Sequence, residues 1–192
     1  MVIEAGLRGV FTLARGQAHG AMLVEDTPEG AARSFWAAAI CLPGFLSLVL
    51  LGWAEEPPAA GVGHALLVQL IAHAGGWAGF AVASQALAQA VGRGAEWPHF
   101  IAAWNWANVV QYLLLLAVSV PPLLGLPGPL ASALALATLG YQLWLVWFLA
   151  RTTLRSSGLA VAVVGLDLLV GVAVAAVVAA LSGAAALSGA AA

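Results

Sequence analysis

Charged side chains are scarce in this chain. They make up 7% of its 192 residues, and lysine is absent, so arginine supplies all six basic residues. A soluble domain carries about 25% charged residues. So few charges cannot cover a water-exposed surface, and lipid must therefore solvate most of the chain. The net charge of −2 and the lack of a basic patch argue against nucleic-acid binding.

Cysteine and catalytic motifs are also lacking. Cys41 is the only cysteine, so no intramolecular disulfide can form. The sequence has no HExxH or GxSxG motif, and no cluster of histidines or acids faces a predicted membrane interface. We therefore expect a non-enzymatic protein without a metal or cofactor.

Apolar residues, in contrast, dominate. They make up 63% of the chain, and its mean hydropathy is +1.01. A membrane-spanning helix needs about 20 apolar residues. Five runs are long enough, at 35–53, 65–91, 99–119, 129–150 and 159–181. The connectors between them are short and carry proline, glycine or arginine. The sequence thus predicts an all-α integral membrane protein, with a bundle of about five transmembrane helices over residues 34–181.

The basic residues predict the orientation of this bundle. With the N-terminus inside, every one of them falls on the cytoplasmic side: Arg8, Arg15, Arg33, Arg93, Arg151 and Arg155. The first outward loop carries Glu55 and Glu56 instead. This distribution follows the positive-inside rule. The bias towards alanine and glycine is typical of a bacterial genome rich in G and C. We expect a bacterial inner-membrane protein with a cytoplasmic N-terminus and a flexible periplasmic tail at residues 182–192.

Residues 1–33 form a predicted cytoplasmic arm. At about 100° per residue, one face is apolar. It comprises Ile3, Leu7, Val10, Phe11, Ala14 and Ala18. Charged residues lie beside this face, which is typical of an amphipathic helix in the membrane interface. The alternative is a loose arm, because glycines at 6, 9, 16 and 20 weaken a helix. Thr27-Pro28-Glu29 then predicts the start of the next helix, with Thr27 as its N-cap.

Polar residues within the predicted spans are the first candidate site. Asp167 lies eight residues into the fifth span, ~12 Å below the cytoplasmic edge, where a carboxylate is costly and hence a functional candidate. Four amides fall at similar depths on three other spans. The predicted polar layer comprises Gln85, Asn105, Asn108, Gln142 and Asp167. It could supply interhelical hydrogen bonds, or it could line a cavity that binds or conducts a solute or a proton.

The second candidate is a face of small residues on the second span. It comprises Gln69, Ala72, His73, Gly76, Gly79 and Ala83. Small residues permit close approach by another helix. His73 has no second metal ligand at helical spacing, so we interpret it as a hydrogen-bonded packing residue. Haem ligation through this single histidine stays an alternative.

The layout and two short segments resemble the bacterial relatives of the Yip family, the Ypt-interacting proteins. The segments are Asp26-Thr27-Pro28-Glu29-Gly30 and Arg33-Ser34-Phe35-Trp36. The Asp-Leu-Tyr-Gly-Pro-type motif of the eukaryotic members is absent, so their partnership with prenylated small GTPases is not expected. The resemblance implies a small polytopic protein that organises other membrane components.

Two functional hypotheses follow. The first is a scaffold, assembly or accessory subunit of a larger membrane complex, whose partners are the lipid bilayer and other membrane proteins. It rests on the lack of catalytic motifs and on the small-residue faces. The second is a small solute or proton-coupled transporter or channel that uses the polar layer around Asp167.

Overall fold

The computed structural model describes residues 2–190, which form helices and no strand. The elements are α1 (Val2–Leu13), a 3₁₀ helix (Ala18–Leu23), α2 (Pro28–Ser34), α3 (Trp36–Glu55), α4 (Val62–Ala90), α5 (Trp97–Leu123), α6 (Gly128–Leu154) and α7 (Ser157–Ala190).

The described residues include five helical segments that are long and apolar enough to cross a membrane. They are Pro28–Glu55, Val62–Ala90, Trp97–Leu123, Gly128–Leu154 and Ser157–Gly183. The prediction of an all-helical protein with five such helices is confirmed, and this architecture fits a membrane protein. Enclosing the backbone polar groups within helices is what hydrocarbon demands of a spanning chain.

Two helices extend beyond the ends that the sequence predicts. Helix α5 continues through Pro121 and Pro122 to Leu123. Neither proline can donate a backbone hydrogen bond within the helix, and α5 ends one residue after them. Helix α7 continues past 181 to Ala190. The flexibility of the tail stays a prediction, and residues 191 and 192 lie outside the described range.

The predicted start at Thr27 is confirmed. The Thr27 hydroxyl accepts a hydrogen bond from the Gly30 N–H at 3.0 Å, and Pro28 occupies the first turn of α2. Phe35 joins α2 to α3 and keeps right-handed helical angles. The two helices therefore form one segment of 28 residues that is long enough to span.

The long helices pack in the order α3, α5, α6, α7, α4. Helix α6 lies between α5 and α7, whereas α3 packs mainly on α5 and α4 mainly on α7. We call the end with the α4–α5 and α6–α7 connections the arginine end, since it holds Arg93, Arg151 and Arg155. The opposite end, with Glu55 and Glu56, is the glutamate end.

The N-terminal arm packs against the bundle. Val10 and Leu13 are fully buried. The Tyr141 hydroxyl donates to the carbonyl oxygen of Ala14 at 2.7 Å, and His99 Nε2 lies 2.9 Å from the carbonyl oxygen of Ala21. The arm thus uses specific contacts with α5 and α6. The predicted apolar face is divided, because Ile3 and Phe11 stay exposed.

Glycine allows the two halves of the arm to cross. A Cβ added to Gly20 would lie 2.5 Å from the Gly9 carbonyl oxygen, and one added to Gly9 would lie 2.8 Å from the Gly20 carbonyl oxygen. The glycines that lower helix propensity are therefore also the residues that let α1 pack against the 3₁₀ helix. A helical arm is observed, whereas its position in the membrane interface stays a prediction.

Candidate functional site

A cavity of about 280 Å³ lies between α3, α4, α5 and α7. Its polar wall consists of Gln69 and His73 from α4, Asn108 from α5 and Asp167 from α7. Asp167 lies ten residues after the start of α7 and His73 lies 17 residues before the end of α4, which places them ~15 and ~25 Å from the arginine end. The cavity is therefore near the middle of the bundle.

Asp167 is the only acidic residue on this wall. Its Oδ1 atom accepts a hydrogen bond from Trp104 Nε1 at 3.2 Å. Lysine is absent from the chain, no arginine lines the cavity, and none of the ion pairs found among the described residues involves Asp167. The carboxylate therefore faces the cavity with a single neutral donor and no basic partner.

Aromatic side chains supply five of the ten remaining residues of the wall. The Trp104 ring stacks on Phe80 with the centroids 4.1 Å apart. Trp77 meets Trp104 edge-on at 5.4 Å, and Tyr112 lies on the same wall. Because Trp77, Phe80 and Trp104 are mostly buried, these rings hold each other in fixed orientations.

His73 connects α4 to α3 across the cavity. Its Nε2 atom lies 3.2 Å from the carbonyl oxygen of Ala38. A carbonyl can only accept, so Nε2 carries the hydrogen and Nδ1 remains available to accept a hydrogen bond. The ring lies 4.6 Å from Phe45 and 6.3 Å from Tyr112, measured between centroids. The interpretation of His73 as a hydrogen-bonded residue agrees with this geometry, but the residue also borders open space.

A second cavity leads towards the glutamate end. Its volume is about 320 Å³, and its wall includes Trp53, Glu56, Ser182 and Gln69. Gln69 also lines the first cavity. The two spaces therefore share the Gln69 side chain as part of their walls.

The structure separates the five residues of the predicted polar layer. Asp167 and Asn108 line the cavity. Asn105 is fully buried elsewhere, where its Nδ2 donates to Ser34 Oγ at 2.7 Å. Gln142 does not line the cavity, and its Nε2 is buried without a partner among the described residues. Gln85 is exposed on the outside of α4.

The predicted small-residue face of α4 is also divided. Gln69, Ala72, His73 and Gly76 line the Asp167 cavity. Gly79 instead lines an apolar groove of about 360 Å³ between α4 and α7, together with Ala72. Ala83 is half-buried and belongs to neither space. A face predicted for close packing therefore borders two openings.

Sequence reasoning missed the aromatic part of the site. No tryptophan and no phenylalanine is among the predicted site residues, although five aromatic side chains line the cavity. A spacing of four residues does join Trp104, Asn108 and Tyr112 on one side of α5. The same spacing joins Gln69, His73 and Trp77 on α4. Aromatic residues that repeat in step with polar ones could have indicated a common wall.

Among the described residues, neither a metal-binding cluster nor a match to a known protein indicates what this cavity does. No three His, Cys, Asp or Glu side chains come together within the described part of the chain. Comparison with protein-family models, curated proteins and solved structures finds no match.

Proposed function

We propose that this chain is a small transporter or channel that binds a solute in the cavity around Asp167. The observation that carries the proposal is an acidic side chain without a basic partner, facing an intramembrane cavity. A second cavity, which shares Gln69 with the first and lies towards the glutamate end, supports access from that end. Ionisable residues at such depth are costly and line solute or proton pathways in membrane proteins.

The competing explanation is that Asp167 only joins helices. A residue of that kind is expected to be enclosed by its hydrogen-bond partners. Asp167 has one such bond, to Trp104, and otherwise borders a cavity that spans four helices. An interhelical hydrogen bond in a membrane contributes only ~0.6 kcal/mol on average. This stabilisation is small compared with the free-energy cost of placing a carboxyl group in the membrane.

Transport in proteoliposomes tests the proposal. The full chain is reconstituted, and uptake of cationic, neutral and anionic solutes is measured by mass spectrometry, with proton entry followed by an internal pH dye. We expect uptake of one class above protein-free vesicles. Asp167→Asn and Asp167→Leu should abolish it, and Gly76→Phe should block it by filling the cavity. Gln85→Ala, on the outer surface of α4, is the matched control and should leave uptake unchanged.

Two results would contradict the proposal. One is full uptake by folded Asp167→Leu protein. The other is that the protein moves no solute class and no protons across the vesicle membrane, and that it also shows no solute binding that Gly76→Phe abolishes. Retained melting temperature in lipid nanodiscs establishes folding for each variant.

The orientation and location are part of the proposal. Arginines concentrate at one end of the bundle, which supports a cytoplasmic arginine end and an extracytoplasmic glutamate end under the positive-inside rule. The exposed Ile3 and Phe11 of α1 support contact of the arm with a bacterial inner membrane. Reporter fusions should place the N-terminus inside and the C-terminus outside. Finding both termini in one compartment would rule out an odd number of spans.

A role as an accessory subunit of a larger membrane complex is the second candidate. It is supported by the apolar groove between α4 and α7. A Cβ added to Gly75 or Gly79, which line this groove, would meet no atom within 4 Å, so the groove is open to another helix. Native mass spectrometry from nanodiscs should then show a complex that Gly79→Leu disrupts. A solitary monomer under these conditions would count against this role. The Yip-like affiliation and the lack of enzymatic activity stay predictions.

A further inference from the structure

We infer that the solute is a small organic cation, such as a quaternary or protonated amine, that enters from the glutamate end. This inference rests on the proposed function and specifies its substrate class. The geometry that carries it is a set of aromatic rings and one carboxylate on the same cavity wall.

The rings provide the first argument. A cation placed over the face of tryptophan, tyrosine or phenylalanine is attracted by the ring quadrupole, most strongly where water is excluded. Trp77, Trp104 and Tyr112 line the cavity and come from two helices. Aromatic walls of this type recognise quaternary ammonium groups. The volume of about 280 Å³ is just below the usual range for ligand pockets, ~300–1,000 Å³, and suits a small ligand.

Charge balance provides the second argument. Asp167 has a neutral donor in Trp104 and no basic neighbour on the cavity wall. The other titratable side chains on this wall are His73 and Tyr112. An organic cation would supply the missing positive charge, whereas an anion would meet uncompensated repulsion at low local dielectric.

The lining also discriminates against inorganic cations. Mg²⁺ and Ca²⁺ require six or more oxygen ligands. This wall supplies one carboxylate, two amides from Gln69 and Asn108, and the Tyr112 hydroxyl, and its remaining residues are aromatic or aliphatic apart from His73. A ligand that is apolar over most of its surface and carries one positive charge matches this composition better.

The ends of the bundle favour entry from one side. Glu56 lines the outer cavity that reaches Gln69, and Glu55 precedes it in the chain. At the opposite end Arg93 is paired with Glu96, and Arg151 and Arg155 leave that end with a positive charge that repels cations. Clefts lined by charge of one sign raise the local concentration of oppositely charged solutes, so the glutamate end would collect cations.

The test compares choline with its uncharged carbon analogue, 3,3-dimethylbutan-1-ol. Binding of radiolabelled choline is measured on the full chain in phosphatidylglycerol nanodiscs. Empty nanodiscs give the background, and sodium chloride keeps the ionic strength constant. We expect saturable binding that unlabelled choline displaces and that the neutral analogue displaces at least ~10-fold less well. Asp167→Asn and Trp77→Leu should each weaken binding by ~10-fold or more. Trp36→Leu, at an exposed site, is the matched control.

The outcomes separate the two proposals. Equal displacement by the neutral analogue, or displacement by sodium at the choline concentration, would overturn the cation assignment alone. Asp167-dependent uptake of a neutral or anionic solute without choline binding would have the same effect, and the transporter proposal would stand. Unchanged choline affinity in both Asp167→Asn and Trp77→Leu would show that choline binds outside this cavity.

Trp104→Phe separates the contribution of the ring from that of the hydrogen bond. The variant keeps an aromatic ring but loses the donor to Asp167, so an intermediate loss of choline affinity is expected if the ring itself contributes.

Discussion

Replacing Gly20 by alanine should release the N-terminal arm from the bundle. The added Cβ would lie 2.5 Å from the Gly9 carbonyl oxygen and 2.8 Å from the Leu13 backbone nitrogen. Both neighbours are backbone atoms, so no side chain can rotate away. Ordinary van der Waals contact begins near 3.4 Å, and the 3₁₀ helix must therefore move by about 0.9 Å from α1.

The magnitude follows from this displacement. Overpacking of a well-packed site costs ~1–3 kcal/mol, and a clash with backbone belongs at the upper end. Instead of tolerating the clash, the arm can detach from the bundle. That would uncover Val10 and Leu13, which are fully buried and contribute ~1.5–3 kcal/mol each when burial is measured against water. We expect destabilisation of arm docking by ~2–3 kcal/mol.

Limited proteolysis measures arm docking directly. The chain has no lysine, so trypsin cleaves only at its six arginines. Mass spectrometry then separates cleavage at Arg8 and Arg15 from cleavage elsewhere. The Gly20→Ala protein in nanodiscs should be cut at these two sites ~30-fold faster or more, if cleavage follows the population of the detached arm.

A glycine with free space around it provides the control. A Cβ on Gly140, inside α6, would meet no atom within 4 Å. Gly140→Ala should leave arm cleavage unchanged and stabilise α6 by up to ~1 kcal/mol. Wild-type protection of Arg8 and Arg15 in Gly20→Ala would refute the reasoning, because it would mean that the backbones do not cross at Gly9 and Gly20.

Three further predictions concern polar contacts at the arginine end and within the bundle. Ser34→Ala leaves the buried amide of Asn105 without its Oγ partner and should cost ~1–3 kcal/mol in SDS-induced unfolding; no change would mean that the contact is not made. Tyr141→Phe removes the bond to the Ala14 carbonyl and should cost ~1 kcal/mol, seen as faster arm proteolysis; protection equal to wild type would contradict it. The Arg93 side chain hydrogen-bonds Glu96 and lowers the pKa of that carboxyl below its ordinary value of 4.5, with smaller contributions from the backbone and from the charges of Arg93 and Arg155. Because the folded-state pKa is depressed, this stabilisation is present above pH 4.5 and is lost as the pH falls through the folded-state value. Glu96→Gln should therefore lower the melting temperature at neutral pH but not in strong acid; an equal shift at both would count against the ion pair.

The number and approximate positions of the long helices could be predicted because they depend on a one-dimensional property. A run of about 20 apolar residues must close its own hydrogen bonds in hydrocarbon, whatever surrounds it. Local side-chain chemistry likewise predicted the N-cap at Thr27, which the hydroxyl bond to Gly30 confirms. The end of α5 was harder to predict, because Pro121 and Pro122 interrupt the hydrogen bonds of a helix but do not fix the residue at which it ends.

The composition of the candidate site could be predicted only in part. Asp167 and Asn108 were grouped from their depth and do share a wall, but Gln85 and Gln142 have similar depths and do not. Depth follows from residue number, whereas the direction in which a side chain points around the helix axis does not. In lipid-facing helices nearly every face is apolar, so polarity gives little information about rotation.

By itself the sequence determined that this is a chain of long apolar helices, with its arginines concentrated at alternate connections and its few charges outside the spans except Asp167. Only the tertiary structure decided that His73 and Asp167, predicted in separate groups, border one aromatic cavity, and that glycines 9 and 20 allow a backbone crossing. The physical reason is the same in both cases. Helix association within a bilayer depends on shape, small residues and directed hydrogen bonds rather than on burial from water, and these are properties of two surfaces that no single segment contains.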